Sequence, residues 1–429
     1  MNAGVRVTSE TTESNKGGLS IRQNMLWSSV GSIVSLGCQW VITVLLVRLS
    51  AGYGAAGVYS LAMSVYGIFG PLAQYRIYTY QVSDVRGEYS LGEYFSFRIY
   101  ASTAALVLTF GYALATCPPE TVPAIMLFSI YKDLGLVIDV FHGSNQLFHR
   151  MDYNGKSLTM QGVSSLALFV IVFSATGSLE FAIVSMAAAT ALIALLYDMP
   201  RARALARFRP GINPHKATGL ALKCLPVVLA GIACSAAPAL PRQFLLAAQG
   251  AAALGAYASM AAPVAIIQMG VSYIYNPLLS YYSESYASFD RSRFLRLVGM
   301  TVAGAAGVGV VCAIGLELLG GPLLSLVYGE SILDYLYLLQ PLILLAVLTG
   351  LMWFVNDLLI ALRNFRHTFV GSIIALVASA LTTVPAVELF GLNGVTVATM
   401  ASCLAGILYM GVALAMQVRG HFGTEGRDA

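Results

Sequence analysis

About a dozen stretches of this chain run for roughly twenty residues each with almost no charge, and no soluble fold absorbs that many. They lie near residues 24–47, 55–77, 96–116, 121–146, 157–177, 179–198, 218–240, 251–279, 296–316, 335–361, 367–387 and 392–416. A helix rises about 1.5 Å per residue, so about 20 apolar residues cross a hydrocarbon core of about 30 Å. Charged residues are 10% of the 429 and hydrophobic ones 58%, against about 25% charge in a soluble domain. Mean hydropathy is +0.75. Lipid is therefore the expected solvent for most of the surface. The expected class is an all-α integral membrane protein with about 12 transmembrane helices. The break at Gly177-Ser178 is tight enough that a count of eleven stays open.

The charges orient the spans. With the N-terminus in the cytoplasm, all but three of the 24 basic residues fall on the cytoplasmic side, among them Arg6, Lys16, Arg76, Arg86, Arg98, Arg363 and Arg427. The opposite loops receive Glu120, Glu180, Glu317, Glu330, Asp334 and Glu388. This is the positive-inside pattern, and it places both termini in the cytoplasm. The three exceptions are Arg48, Lys132 and Arg242. The net charge of +4 reflects topology and implies no nucleic-acid partner. Met1 to Ser20 is polar and lacks the apolar core of a cleavable signal peptide. The expected organisation is a disordered cytoplasmic tail (1–20), a first lobe (21–199), a basic linker (200–217), a second lobe (218–416) and a second tail (417–429).

Each lobe takes six spans, and six is even, so a repeat is parallel. Gly57, Tyr59 and Tyr75 recur as Gly255, Tyr257 and Tyr273 at one offset. Asp139, Gly143, Gln146 and His149 align with Asp357, Ala361, Asn364 and His367 at an offset larger by about 20, the order of the extra length of the outer loop near 317–334. Two six-helix lobes suit a transporter whose substrate path runs between them.

Polar groups within the spans mark candidate sites. On one stripe of span 4 lie Ser129, Lys132, Asp139, Gly143, Gln146 and Arg150, with Asp133 facing elsewhere. A charge near the bilayer centre costs roughly 2.5–3.5 kcal/mol on insertion scales, so Lys132 and Asp139 should face a wet cavity or form a structural ion pair. Arg48 and Arg242 close spans 1 and 7 near the outer face. They either snorkel to lipid phosphates or line the cleft as cations for an anionic substrate. Asp139 and Asp357 are candidate coupling or cavity acids, for a proton or sodium, and Asp357 equally suits a contact between helices. Lys223 is an interface anchor or a cavity residue. Pro71, Pro263 and Pro277 should kink spans 2 and 8, and Tyr273, Tyr275, Tyr281 and Tyr282 form an aromatic cluster toward the inner face.

Other chemistries lack their residues. The sequence contains no GxSxG, HExxH or Walker loop, and His142, His149, His215, His367 and His421 have no ligand spacing. Six scattered cysteines read as small buried hydrophobes. No enzyme activity, metal or organic cofactor is expected.

One segment is familiar as a whole. Asn24-Met25-Leu26-Trp27-Ser28 opens span 1, Leu46-Val47-Arg48-Leu49 closes it, Gly57-Val58-Tyr59-Ser60-Leu61-Ala62 follows, and Tyr78 to Arg86 completes the pattern. Over about residues 22–100 this resembles the polysaccharide transporter family, O-antigen flippase-like, within the multidrug/oligosaccharidyl-lipid/polysaccharide (MOP) exporter superfamily. Elsewhere the match is one of layout. The resemblance implies a MATE-like pair of six-helix lobes in the bacterial inner membrane. It implies export of a polyprenyl-pyrophosphate-linked oligosaccharide, with membrane lipid, a glycan polymerase and a chain-length regulator as partners. It assigns a role to Arg48 alone. A drug/cation antiporter, a membrane-embedded glycan polymerase or ligase, and a non-transporting scaffold remain the alternatives.

Overall fold

A computed structural model describes residues 19–50, 52–84, 87–275, 278–362 and 364–423. Most of the expected N-terminal tail lies outside the described residues, as do Arg6, Lys16, Arg86, Pro277, Arg363, Arg427 and the side chain of Tyr273. The described regular elements are all helical. The first half comprises α1 (Ile21–Leu49), α2 (Gly54–Gln74), a short α3 (Ile77–Ser83), α4 (Leu91–Thr116), α5 (Val122–Leu147), α6 (Met151–Thr176), α7 (Leu179–Ile193) and α8 (Met199–Leu205). The second half holds α9 (Pro214–Tyr275), a short α10 (Leu279–Ala287), α11 (Arg291–Tyr328), α12 (Leu339–Ala361), α13 (Phe365–Phe390) and α14 (Leu392–Gly423).

Local chemistry sets the ends. Ser20 with Gln23 and Ser90 with Glu93 form capping boxes that satisfy orphan amides at the starts of α1 and α4. Asp290 and Asn364 cap α11 and α13. Among the described residues, ten segments are long and apolar enough to cross a membrane. One of them, Val228–Ala265, contains Gly250 with φ 85° and ψ 175°, where α9 turns back on itself, so it supplies two passes. The twelfth is α5, which carries Lys132, Asp133 and Asp139 and, at 26 residues, equals α6 in length. Gly177, at φ 66°, separates α6 from α7, so the fifth and sixth spans are distinct.

In the first half α1 packs on α6, α6 and α5 on α7, and α4 on α2 and α5. In the second, α13 packs on α14 and α9, and α12 on α9, α11 and α14. The principal contact between halves is α2 on α9, with smaller ones from α1 to α9 and α11. Close approach relies on glycine, as expected where lipid removes the hydrophobic drive for helix association: Gly31 of α1 meets Gly155 of α6, and Gly57 of α2 meets Ala251. Lipid-facing positions carry exposed apolar side chains such as Leu318, Leu326 and Leu389.

The repeat has two offsets. Gly57 and Gly255 meet across the α2–α9 crossing, 198 positions apart (255 − 57). Both α6 and α13 have 26 residues and end on a glycine of positive φ, Gly177 and Gly391, 214 positions apart (391 − 177). Spans 4 and 10 precede these helices. By that register Asp139 corresponds to Trp353, and Asp357 sits one turn further along. The offset of 218 that pairs the two acids (357 − 139) therefore keeps their helix face and misses the register by four residues. By the first offset Arg242 corresponds to Val44, so Arg48 and Arg242 are not equivalent either.

Candidate functional site

Each half encloses a cavity. The first, of about 340 Å³, is walled by α1, α2, α5, α6 and α7, with Gln39, Tyr66, Lys132, Asp139 and Thr190 among its lining. The second, of about 360 Å³, is walled by α9, α12 and α14 and closed by Met63, Ser64 and Gly67 of α2. The cavities are counterparts. Tyr131, Lys132, Gly135 and Asp139 line the first, and Leu345, Ala346, Thr349 and Trp353, each 214 positions on, line the second. Their chemistry differs, because alanine replaces lysine and tryptophan replaces aspartate.

Lys132 faces the first cavity and donates from Nζ to Gln39 Oε1 at 2.9 Å, with the Phe128 and Tyr131 rings about it. It makes no ion pair to Asp139, which faces the same cavity two turns away. Asp133 does turn elsewhere and accepts from the Tyr66 hydroxyl at 3.1 Å. Arg242 lines the second cavity beside Tyr257, Gln268 and Trp353. Among the described residues its guanidinium has no carboxylate partner, and no carboxylate lines that cavity. Asp357 lies behind the wall, accepting from the Tyr275 hydroxyl at 2.8 Å and so joining α9 to α12.

Arg48 lines neither cavity. Its Nε donates to the Val327 carbonyl at 2.7 Å and its Nη2 to those of Ser325, at 3.2 Å, and Leu326. The last carbonyls of a helix have no partner within it and carry partial negative charge, so the end of α11 draws in the cation from the other half. Tyr53 adds a contact to Ser331 at 3.1 Å. This is a latch at the end opposite the basic loops. At the basic end Lys216 pairs with Glu93 at 2.8 Å, Lys223 with Glu88 at 3.7 Å and with the Tyr80 hydroxyl at 3.2 Å. Tyr75 donates to the Ala221 carbonyl at 3.2 Å. The hydrogen bond to Glu93 raises the Lys216 ammonium above its ordinary value. Burial pushes the nearby Asp84 carboxyl up, but the amides of Glu88 and Tyr89 and the Tyr94 hydroxyl outweigh it and hold the group below the usual range. The two halves are thus tied together at both ends.

Arg98, expected in the cytoplasmic set, is 1% exposed. Helix α2 stops where two consecutive residues, Tyr75 at φ 46° and Arg76 at φ 54°, take the left-handed conformation. Such strain persists only where surroundings enforce it. Arg98 Nη1 donates to the freed carbonyls of Ala73 and Gln74, at 2.8 and 2.5 Å. No motif announces this cap, although an arginine seven residues into α4 and inside the apolar run 96–116 is a signal of the same kind as Lys132.

Solved structures share this architecture. The chain superposes on the lipid II flippase MurJ in an inward closed conformation with a TM-score of 0.70, at 10% identity over 91% of this chain and 87% of that one. This is the fold of the MOP exporters. A MOP superfamily transporter from Pyrococcus furiosus, described as having a binding pocket of reverse polarity, matches with a TM-score of 0.60 at 13% identity, covering 94% of this chain and 95% of its own. The Vibrio cholerae MATE transporter VcmN in its bent form gives 0.57 at 15% identity, covering 93% and 97%. No protein-family model and no curated protein sequence matches. The MOP neighbours are transporters and flippases, and this chain shares their two-lobe fold.

Proposed function

We propose that this protein is a flippase for a polyprenyl-pyrophosphate-linked oligosaccharide in the bacterial inner membrane. It takes its substrate from the cytoplasmic face and releases it outside. The observation that carries the reading is Arg242, a guanidinium without a carboxylate partner in a cavity walled by the second lobe and α2. Removing a charge from water is costly unless something compensates it, and a phosphate oxygen pair suits the guanidinium fork. Trp353 offers a ring face beside it for a sugar, while the polyprenyl tail stays in lipid. The basic loops face the cytoplasm. A glycan polymerase and a chain-length regulator are the partners such an exporter would serve.

Arg48 acts in this reading as a gate, and its release from α11 opens the outer side. Lys132 acts from within the first lobe. Asp139 favours the second reading, a drug/cation antiporter, because it is a carboxylate facing a cavity. The two separate in cells. Deleting the gene should accumulate inward-facing lipid-linked glycan and deplete surface glycan, with Arg242→Ala reproducing the defect. Normal surface glycan in the deletion strain would overturn the flippase reading, and loss of drug resistance on Asp139→Asn would favour the antiporter.

A further inference from the structure

Transport through the Arg242 cavity makes no use of a buried line of titratable groups in the first lobe. Asp139 is 40% exposed to the first cavity, His142 one turn along α5 is 5% exposed, and Asp198 is 0% exposed. His142 Nδ1 lies 4.0 Å from Asp139 Oδ1, and its Nε2 lies 3.4 Å from Asp198 Oδ1. Among the described residues, neither that nitrogen nor that oxygen has a hydrogen-bond partner of good geometry, an uncommon state for buried polar atoms. Asp198 ends a π turn, Ala194–Asp198, between α7 and α8. Such turns are rare and recur at functional sites. A second route reaches the same carboxylate: Gln161, which lines the cavity, donates to Ser157 at 3.0 Å, and Ser157 donates to Asp198 Oδ2 at 2.8 Å.

The surrounding charges leave room for a proton. On α5, Lys132 bonds to Gln39 and Asp133 is held by Tyr66 of α2. On α4, Arg98 is bonded to carbonyls of α2. On α6, Asp152 is paired with Arg150 and Lys156. Tyr78 of α3 bonds to Gln146, and Arg201 of α8 stacks on Tyr197. Among the described residues no lysine or arginine forms an ion pair with Asp139 or Asp198, so an imidazole held between these two carboxylates is suited to take a proton and give it up.

We propose that Asp139, His142 and Asp198 form a proton-binding site, loaded from water in the first cavity through Asp139, and that its occupancy is coupled to the parting of the lobes. The proton passes from the Asp139 carboxyl to His142 and is shared by His142 Nε2 and Asp198 Oδ1, with no other bond made or broken. The coupling rests on the proposed transport cycle, whereas the binding does not.

The test needs no substrate. In a cysteine-free background in nanodiscs, a reporter Ser235→Cys lines the inter-lobe cavity and reacts with a thiol reagent when the lobes part. One coupled proton changes that opening equilibrium by up to about tenfold per pH unit, and a histidine does so between about pH 5 and 8. The labelling rate, corrected with a free-thiol standard, should follow such a slope. His142→Gln and Asp198→Asn should flatten it while leaving thermal unfolding near that of the parent. A flat profile in the parent, or an unchanged slope in His142→Gln, overturns the proposal. Should Asp198→Asn fail to fold, Ser157→Ala removes one donor from the carboxylate and must move the midpoint to higher pH; an unmoved midpoint overturns it. Normal surface glycan in the deletion strain would overturn the flippase reading and leave this result standing.

Discussion

Gly57 of α2 and Gly255 of α9 face one another's helices across the lobe boundary. A Cβ on Gly57 would overlap the Ala251 carbonyl, and one on Gly255 would overlap the Tyr53 carbonyl. Tyr53 and Ala251 are themselves 198 positions apart (251 − 53), so the crossing repeats its own contacts in both directions. The obstacles are backbone atoms, which have no rotamer in which to retreat.

Gly57→Ala and Gly255→Ala should each destabilise the closed form by about 1–3 kcal/mol through overpacking. The double variant should cost less than the sum, because separating the helices for one methyl makes room for the other. Thermal unfolding in detergent reads both effects. Additive shifts would mean that the two sites do not share a crossing.

Arg48→Ala should unlatch the end opposite the basic loops, at a cost of about 0.3–2 kcal/mol for a cation lost from a helix C-terminus. Arg48→Lys should recover part of that, since an ammonium lacks the fork that reaches three carbonyls. The reporter at position 235 should label faster in the order wild type, Arg48→Lys, Arg48→Ala. A direct substrate role for Arg48 would instead leave labelling unchanged while export falls.

Arg242→Ala should lower export roughly tenfold to a hundredfold, the equivalent of about 1.5–3 kcal/mol for a hydrogen bond to a charged group. Arg242→Lys should retain a fraction, and neither variant should shift thermal unfolding, since Arg242 makes no hydrogen bond or ion pair within the described residues. Surface glycan measured against protein level separates transport from expression.

At the basic end the sign of the pH effect follows from Lys216. Its ammonium is raised above the ordinary value by Glu93, so its latch contribution is complete below the usual lysine value of about 10.4 and disappears as pH climbs through the raised one. Cys224, buried in the core at that end, should react faster in Lys216→Gln than in wild type near neutral pH. The two rates should converge in strong alkali, and high salt should narrow the gap as well, since the pair is solvent-exposed.

The spans were legible because a bilayer demands length and apolarity together, and Gly57 and Gly255 already carried the repeat. Register was harder. Pairing Asp139 with Asp357 kept the helix face and missed by one turn, because a four-residue slip nearly preserves direction on a helix of 3.6 residues per turn. The three exceptional cations do not meet: Lys132 and Arg242 line different cavities and Arg48 lines neither. A span-end arginine reads identically whether it faces lipid, a cleft or the carbonyls of another helix, and only the structure places Arg48 on α11. His142 and Asp198 gave no signal, since they are 56 positions apart (198 − 142) and joined by a π turn that sequence periodicity conceals. Arg98 escaped notice because its loop position was inferred from its charge.

The reversal at Gly250 leaves no slack between the two passes of α9. Ser235 and Arg242 stand on one pass, Tyr257 and Gln268 on the other, and all four line the same cavity. A hairpin without a connecting loop behaves as a single strut, so the compartment keeps its shape while its surroundings shift. In the proposed transport cycle the cargo travels with the second lobe as in a cup, and α2 is the cover that slides off it.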